Sequence, residues 1–290
     1  MHIVPLSPTI GAEVTGVDLT HISDNEFAHI DAAFTEHSVL VFRDQAALQP
    51  HEQVAFAKRF GPLHTHPAAP TLEENPEVFV IHAHAESKVA NGNGWHTDVS
   101  CDVEPPLGTL LQLHLLPPTG GDTLFASMYA AFETLSEPMQ SLLMTLQAHH
   151  ESEHIYRGRY ADRGVDDAGR TYPSAVHPVV RTHPKSGRKA LYVNPSFTTR
   201  IEGLTKAEST MLLDTLYSHQ QRPEFQMRLH WRDNTIALWD NRCTQHFALW
   251  DYWPDERKGH RVTIKGEQPY LEPSRPRHRN MRLSRQLAGS

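Results

Sequence analysis

The sequence TIALWDNRCTQH spans residues 235–246 of a chain of 290 residues. Its first five residues form a short apolar run that favours a β-strand, and the polar residues after Trp239 favour the end of that strand. This pattern predicts a buried strand that stops at the mouth of a sheet, with His246 at that mouth. Because the chain contains 21 histidines, the position of His246, and not its residue type, makes it a candidate ligand.

Further short runs of β-forming residues lie along the chain, bounded by turn residues. They are residues 38–42, 78–81, 109–115, 190–193, 225–231 and 261–264. Helix-start signals are fewer: Ser23 and Thr205 each open a capping box, and Ser136 precedes a Glu-Pro pair. Many strands and few helices predict a mainly β protein with helical cover, built on a double-stranded β-helix, the jelly-roll core of cupin-like proteins.

The composition is that of an ordinary globular protein, with 39% hydrophobic and 21% charged residues. No linker, repeat or low-complexity tract divides the chain, so residues 1–290 are predicted to form a single domain. No apolar run approaches the roughly 18 to 20 residues of a membrane span, and the N-terminus lacks the pattern of a secretory signal. The chain is therefore predicted to be cytoplasmic and not membrane-bound. Its two cysteines, Cys101 and Cys243, are interpreted as buried, inert thiols, with a redox-sensing pair as the alternative.

The charge of the chain argues against one class of partner. The net charge of −7 and the pI near 6.3 do not suit a nucleic-acid binder that neutralises phosphates. Residues 271–290 nevertheless carry five arginines against one glutamate. This basic tail is interpreted as a solvated segment, and packing against another subunit is the alternative.

The segment His96-Thr97-Asp98 follows a turn-rich approach. In an extended segment residues i and i+2 point the same way, so His96 and Asp98 can reach one ion. A distant imidazole from His246 would complete a 2-His-1-carboxylate face with open positions for a co-substrate and oxygen. Taken alone, the pair also fits a hydrogen-bonded surface pair, and the three ligands together would also suit a zinc hydrolase.

Two arginines follow His246, Arg257 after eleven residues and Arg261 after fifteen. A guanidinium binds a carboxylate bidentately. Together the two side chains predict a site that holds the far carboxylate of a dicarboxylic acid and a second anion, although either alone would be interpreted as a surface charge.

Two stretches, roughly residues 67–94 and 151–174, are predicted to form long loops. Loops of that length inside a compact domain are usually lids or binding loops. We expect both to order over the site when substrate binds.

The sequence resembles the taurine dioxygenase/TfdA family of Fe(II)/2-oxoglutarate dioxygenases over nearly the whole chain, from Ile10 to Gly266. The resemblance rests on separate motifs that occur in one order. The motifs are residues 95–99, 120–124, 177–184, 197–201 and 239–246.

The resemblance implies the residues that bind the metal and the co-substrate. His96, Asp98 and His246 would be the ligands of Fe(II). Thr123 and Arg257 would hold the distal carboxylate of 2-oxoglutarate, which is consumed together with O2.

The resemblance also implies a substrate site. In the taurine enzyme an arginine matching Arg261 and a histidine matching His66 grip the substrate sulfonate, near the backbone N–H at Val99. An aromatic ring matching Phe197 packs on the substrate. The charge of His66 is expected to follow pH in the working range.

One departure from the family pattern concerns the size of the substrate. Where the taurine enzyme has a substrate-contacting tyrosine, this chain has Ala69, which predicts a substrate bulkier than taurine unless Tyr156 or Tyr160 fills the space. The loop before Trp95 differs too, and Asn93 is a candidate for the asparagine contact.

The predicted function is therefore hydroxylation of a small organic anion, a sulfonate or an alkyl sulfate ester, with release of sulfite or sulfate. An aryloxyalkanoate dioxygenase of the same family is the nearest alternative, and a zinc hydrolase on the same triad is a more distant one. As in relatives, a homodimer or homotetramer is expected.

Overall fold

The computed structural model describes residues 1–66, 72–159, 161, 164 and 166–272. Its helices, in chain order, are α1 Asp24–His37, α2 Pro50–Lys58, α3 Met128–Glu133, α4 Glu137–Leu143, α5 Glu153–Tyr156 and α6 Lys206–Gln220, with a 3-10 helix at Pro223–Phe225. Its strands are β1 His2–Pro5, β2 Ala12–Thr15, β3 Val39–Phe42, β4 Leu63–His64, β5 Val78–Ala83, β6 Gly108–Leu115, β7 Thr123–Ser127, β8 Gln147–Glu151, β9 Ser174–Pro178, β10 Val180–Thr182, β11 Lys189–Leu191, β12 Thr198–Ile201, β13 Gln226–Leu229, β14 Ile236–Asp240, β15 Thr244–Ala248 and β16 Arg257–Ile264.

Two sheets form the core of the fold. The larger sheet has the strand order β1-β2-β3-β14-β6-β16-β4, and β5 also pairs with β16. The smaller sheet has the order β13-β7-β15. Its pairs are antiparallel, as are those of the larger sheet apart from β2 with β3. Apolar residues of both sheets share one buried cluster, which confirms the predicted jelly roll.

Strand β14 shows why the sequence at residues 236–239 is apolar throughout. Side chains alternate between the two faces of a strand. Ile236 and Leu238 point to the side covered by the helices, where they pack in one buried cluster. Ala237 and Trp239 point to the space between the sheets and pack in another. A central strand covered on both faces has no position for an exposed polar side chain.

Helices α1 and α2 cover the outer face of the larger sheet. Ser23 and Glu26 form the capping box that begins α1, which confirms the predicted start of the helix. Ile30 and Phe34 then pack with residues of β3 and β14. Thr205 and Glu208 form the same box before α6.

The strand pattern of the sequence is confirmed, since each predicted run overlaps a strand, but several elements were not predicted. Helix α2 begins after Gln49, whose N–H donates to Glu52 Oε2 at 2.7 Å, and glutamine is a rare cap residue. Where β15 lies, the sequence predicts only the polar end of a strand, because Thr244, Gln245 and His246 are all polar. The predicted loops are also interrupted, the first by β5 and the second by α5.

In the part of the chain that the structure describes, no helix has both the length and the apolar character to cross a bilayer. The described residues do not include Ala69, Tyr160 or most of the basic tail, from residue 273 onward.

Cys101 and Cys243 are buried and unpaired, and burial raises the pKa of each thiol to about 12. Both are thus buried, as predicted, and their raised pKa values disfavour the reactive thiolate form.

A pair of buried histidines lies on the three-stranded sheet β12-β8-β9. They are His150 on β8 and His177 on β9. Their ring centroids are 5.2 Å apart, and His177 Nε2 donates to the Asp102 carbonyl at 2.9 Å. Burial lowers the pKa of His177 to about 4 and that of His150 well below its usual value. Both rings are therefore neutral at physiological pH.

We expect acid to destabilise the protein through His177. Between pH 6.5 and pH 4 the unfolded chain binds a proton at this histidine and the folded chain does not, so stability falls as pH falls through this window. The contribution at pH 5 is about 2 kcal/mol. Urea unfolding of wild type and His177→Asn at pH 7.5 and 5.0 measures it. The variant should lose less stability on acidification, and equal losses would contradict the assignment.

Candidate metal centre and anion-binding cavities

The two candidate ligand histidines face each other across a β-bridge. The His96 N–H donates to the His246 carbonyl at 3.1 Å, and the His246 N–H donates to the His96 carbonyl at 2.9 Å. His246 lies in β15 of the smaller sheet, whereas His96 lies in the loop before β6. The bridge places the two imidazole centroids 4.1 Å apart. Residues far apart in sequence thus share one site.

The carboxylate of Asp98 is held from two sides. Thr109 Oγ1 on β6 donates to Asp98 Oδ2 at 2.7 Å, and Arg261 Nη1 on β16 donates to Oδ1 at 2.9 Å. Burial by itself would raise the pKa of Asp98, but Arg261 and the two histidines lower it well below its usual range. The carboxylate is therefore ionised.

These three residues fit a divalent metal ion. His96 Nε2 lies 3.7 Å and His246 Nε2 lies 3.8 Å from Asp98 Oδ1. His96 Nδ1 donates to the Gly94 carbonyl at 2.8 Å, which leaves its Nε2 lone pair for a ligand bond. Burial lowers the pKa of both imidazoles and keeps them neutral, the form that binds metals. Two imidazoles and a carboxylate on one face match the triad of non-haem iron sites.

A chain of hydrogen bonds from β14 fixes the carboxylate. Trp239 Nε1 donates to Asn241 Oδ1 at 3.1 Å, and Asn241 Nδ2 donates to Thr109 Oγ1 at 3.0 Å. Thr109 in turn donates to Asp98. Sequence reasoning did not identify Asn241 or Thr109, although the motif at residues 239–246 contains the first of them.

A second cluster of possible ligands, His183, Asp240 and Cys243, is fully buried. It does not suit a metal, because Arg242 already binds both oxygens of the Asp240 carboxylate at 2.9 and 2.6 Å. His183 Nε2 lies 3.0 Å from the same carboxylate, and the thiol of Cys243 is protonated. These residues form a buried ion-pair network that supports the fold.

Arg257 on β16 and Thr123 on β7 line a small cavity beside His246, which we call the Arg257 cavity. Arg257 is 3% exposed, and within the described ranges no carboxylate lies at ion-pair distance. Its Nε donates to the Gly121 carbonyl at 3.1 Å, and its Nη2 lies 3.5 Å from Thr123 Oγ1. Trp231 Nε1 donates to the same hydroxyl at 3.0 Å. A buried guanidinium without an acidic partner is costly, so the geometry favours an anionic ligand here.

Glycine is required at position 121 for this arrangement. Gly121 has φ of +71°, and a Cβ there would lie 3.3 Å from Arg257 Cδ and 3.1 Å from Pro117 Cγ. A larger residue would push against the guanidinium stem, which explains the glycine at position 121.

A second cavity of about 130 Å³, the His66 cavity, is also lined by His96 and shares Arg261 with the Arg257 cavity. Its lining brings together residues predicted for the substrate site, namely His66, Asn93, Phe197 and Arg261. Val99 is not among the lining residues. It packs in the same buried cluster as Phe197, and its φ of +47° is a strained conformation for a β-branched residue. Its N–H donates to no residue in the described part of the chain.

The prediction that His66 changes charge in the working pH range is wrong. Burial, followed by the nearby Arg261, lowers the pKa of His66 to about 3, so the ring is neutral at physiological pH. Its ring lies against Phe79 and Tyr156, with centroids 5.4 and 5.3 Å away. His66 can therefore contribute a hydrogen bond to an anion but no positive charge.

Both predicted loops supply residues to the His66 cavity. Residues 91–94 come from the first, and Ile155, Tyr156 and Arg159 come from the second. Tyr156 packs on Phe197 with centroids 6.0 Å apart, so it lines the apolar side of the cavity. Arg159 was missed by sequence reasoning, since one arginine among several in a polar loop has no distinguishing pattern.

The comparisons with known proteins identify the family of this chain. The model of the family "Taurine catabolism dioxygenase TauD, TfdA family" matches residues 2–263. This chain belongs to that family. The dioxygenase is 35% identical over 279 residues to an alpha-ketoglutarate-dependent sulfate ester dioxygenase of Pseudomonas putida, covering 93% of this chain and 91% of the relative.

Two further comparisons concern a yeast relative and a solved structure. The dioxygenase is 32% identical over 281 residues to an alpha-ketoglutarate-dependent sulfonate dioxygenase of Saccharomyces cerevisiae, covering 93% of this chain and 68% of the relative. The solved structure of a taurine dioxygenase from Burkholderia xenovorans superposes with a TM-score of 0.80 at 35% identity, covering 94% of each chain. Family membership favours a dioxygenase over the zinc hydrolase that the triad alone left open.

We expect Thr109→Val to weaken metal binding by the dioxygenase about tenfold, because it removes a hydrogen bond that orients the Asp98 carboxylate. Competition with a metal-sensitive fluorophore, using Mn(II), measures the dissociation constant. Thr35→Val, which removes a hydroxyl bonded to the Asp31 carbonyl at 3.0 Å on α1, is the control. Unchanged affinity in the first variant would show that Thr109 does not position the ligand.

Proposed function

We propose that the protein uses Fe(II) and 2-oxoglutarate to hydroxylate a small organic anion, a sulfonate or a sulfate ester. The observation that carries this proposal is the pairing of the His96–Asp98–His246 face with the buried, unpaired guanidinium of Arg257. A hydrolase would need the metal face but would leave Arg257 without a function.

Arg257 and Thr123 are assigned to the distal carboxylate of 2-oxoglutarate. The guanidinium is held by the Gly121 carbonyl, and the Thr123 hydroxyl accepts a hydrogen bond from Trp231, which leaves its own proton for a carboxylate oxygen. The 2-oxo acid end of the co-substrate would then reach the metal face beside His246. Orientation of the co-substrate is thus set before chemistry begins.

The His66 cavity is assigned to the primary substrate. Arg261 supplies the charge that binds its acidic group, and neutral His66 and the Val99 N–H supply further donors. Phe197 lines the apolar side, and Asn93 lies on the rim at residues 91–94. Because Arg261 also contacts Asp98, the acidic group would lie close to the metal face, which places the adjacent C–H bond next to it.

Bound Fe(II) supplies the oxygen activation that couples decarboxylation of 2-oxoglutarate to hydroxylation of a substrate C–H bond. The products are succinate, CO2 and the hydroxylated substrate. Hydroxylation of the carbon that carries a sulfonate or sulfate ester gives an unstable product, which breaks down to an aldehyde and sulfite or sulfate.

An aryloxyalkanoate substrate is the second candidate, because Arg261 would bind a carboxylate as well as a sulfonate.

We also propose that the protein is a cytoplasmic homo-oligomer. Its partners would be small molecules and not nucleic acid or a membrane. Native mass spectrometry tests the assembly.

Arg257→Ala is expected to raise the KM for 2-oxoglutarate about tenfold to a hundredfold, the effect of losing one or two charge-assisted hydrogen bonds. The KM for the primary substrate should change much less. Steady-state succinate formation measures both constants, and Arg200→Ala, on the exposed edge strand β12, is the control. Unaltered dependence on 2-oxoglutarate would mean that another cation binds the co-substrate.

Succinate release that requires Fe(II), 2-oxoglutarate and an anionic substrate is the direct test of the function. A panel of alkanesulfonates, alkyl sulfates and phenoxyacetates should give the highest rates with sulfur-containing anions, accompanied by sulfite or sulfate. His246→Ala should lose turnover and keep its fold by circular dichroism. Preference for phenoxyacetates would select the second candidate, and no stimulation by any anion would refute the proposal.

A further inference from the structure

The charged side chains that line the His66 cavity in the described part of the chain are cationic. They are Arg159 and Arg261, and no carboxylate joins them in the lining. Arg261 is bonded to Asp98, whereas no described acidic side chain lies at ion-pair distance from Arg159. The cavity therefore holds one more guanidinium than a single acidic group on the substrate would need.

Arg159 is fixed in place by hydrogen bonds to neutral groups. Its Nε donates to Asn91 Oδ1 at 3.1 Å, and its Nη2 donates to the Ala90 carbonyl at 2.9 Å. Its Nη1 makes no hydrogen bond with any residue that the structure describes. A guanidinium with two nitrogens anchored and the third available is prepared to bind an acceptor at little cost in side-chain entropy.

The position of Arg159 shows which end of a substrate it would meet. Arg159, Asn91 and Ile155 line the His66 cavity and also an outer cavity of about 510 Å³ beside it. His96 and Arg261 line the His66 cavity but not the outer one. Arg159 thus stands where the His66 cavity opens outward, away from the metal face. The group that it binds is remote from the carbon that reacts.

If the site holds Fe(II) and 2-oxoglutarate, as the proposed function requires, a count of its charges also indicates a second acidic group on the substrate. The two charges of Fe(II) and the charge of Arg257 are balanced by Asp98 and the two carboxylates of 2-oxoglutarate. Arg159 and Arg261 then remain, and a substrate with two negative charges neutralises both.

We propose that Arg159 is a specificity-determining residue that binds a second acidic group, so that the preferred substrate is an organic dianion. Such a substrate carries a sulfonate or sulfate ester at the reacting end and a carboxylate at the other. Taurine, whose far end is an ammonium group, is then a poor substrate because Arg159 repels it.

Three sulfonates of matched length test this inference. They are 3-sulfopropanoate, propane-1-sulfonate and taurine, which differ only in a carboxylate, methyl or ammonium group at the far end. Isothermal titration calorimetry on the protein loaded with Mn(II) and N-oxalylglycine, an unreactive analogue of 2-oxoglutarate, gives their dissociation constants. We expect 3-sulfopropanoate to bind about tenfold to a hundredfold more tightly than taurine, with propane-1-sulfonate between them.

Variants of Arg159 separate recognition from a structural role. Arg159→Gln should bring the three dissociation constants close together, and Arg159→Glu should reverse their order in favour of taurine. Loss of the bonds to Ala90 and Asn91 alone would weaken all three ligands by the same factor. Arg157→Gln is the matched control, because Arg157 is exposed and pairs with Glu153 on the same segment.

The outcomes distinguish this inference from the proposed function. Reversal of the order by Arg159→Glu, but not by Arg157→Gln, supports the inference. Equal binding of the three sulfonates by wild type, or equal effects of the two glutamine variants, overturns it while the function stands. If none of the three binds and none stimulates succinate formation, the function proposed for the cavity fails as well.

Discussion

The backbone bridge between His96 and His246 is the contact on which the rest of the site depends. It is one part of a longer docking of residues 92–97 along β15. Ala248 donates its N–H to the Gly92 carbonyl at 2.9 Å, and Thr97 Oγ1 donates to the Thr244 carbonyl at 2.9 Å. Each hydrogen bond contributes only about 1 kcal/mol on its own. Together they fix a loop onto a strand, so that two imidazoles reach one point.

The charges of the surrounding side chains determine which ligands the candidate metal site and its neighbouring cavities can bind. Asp98 is ionised because Arg261 and the histidines outweigh the cost of its burial, and the histidines are neutral because burial dominates for them. Arg257 is kept buried by a carbonyl and by the face of Trp231, 5.7 Å from its guanidinium carbon. The fold thus stores uncompensated positive charge next to a metal face. Such an arrangement is unfavourable for stability by itself and becomes favourable when anionic ligands enter.

The two predicted loop segments, near residues 67–94 and 151–174, contact each other at the His66 cavity. Arg159 joins the second segment to Ala90 and Asn91 of the first, and Tyr156 packs its ring on His66 and Phe197. The walls of the His66 cavity are therefore made by side chains of both segments, and their separation would open it.

The sequence by itself determined the strand pattern, the capping boxes of α1 and α6, and the candidate metal ligands His96, Asp98 and His246. These features depend on residues close together in the sequence, or on short motifs such as residues 239–246 that can be read directly from it. Arg257 and Arg261 could also be named, because they follow His246 together and the family resemblance gives each of them an anionic ligand. The neutral state of His66 could not, since it comes from burial by Phe79 and Tyr156, which are distant in sequence.

Tertiary structure alone decided which polar residues around the site matter. Thr109 and Asn241 lie on different strands and become partners only when β6 pairs with β14. Arg159 acquires its place because it folds back on Asn91, and nothing in a polar, arginine-rich segment marks that contact beforehand. The periodicity of apolar residues indicates which positions are buried, and the spacing of a motif indicates its local geometry. The net charge of a cavity, in contrast, depends on side chains that only the folded chain brings together.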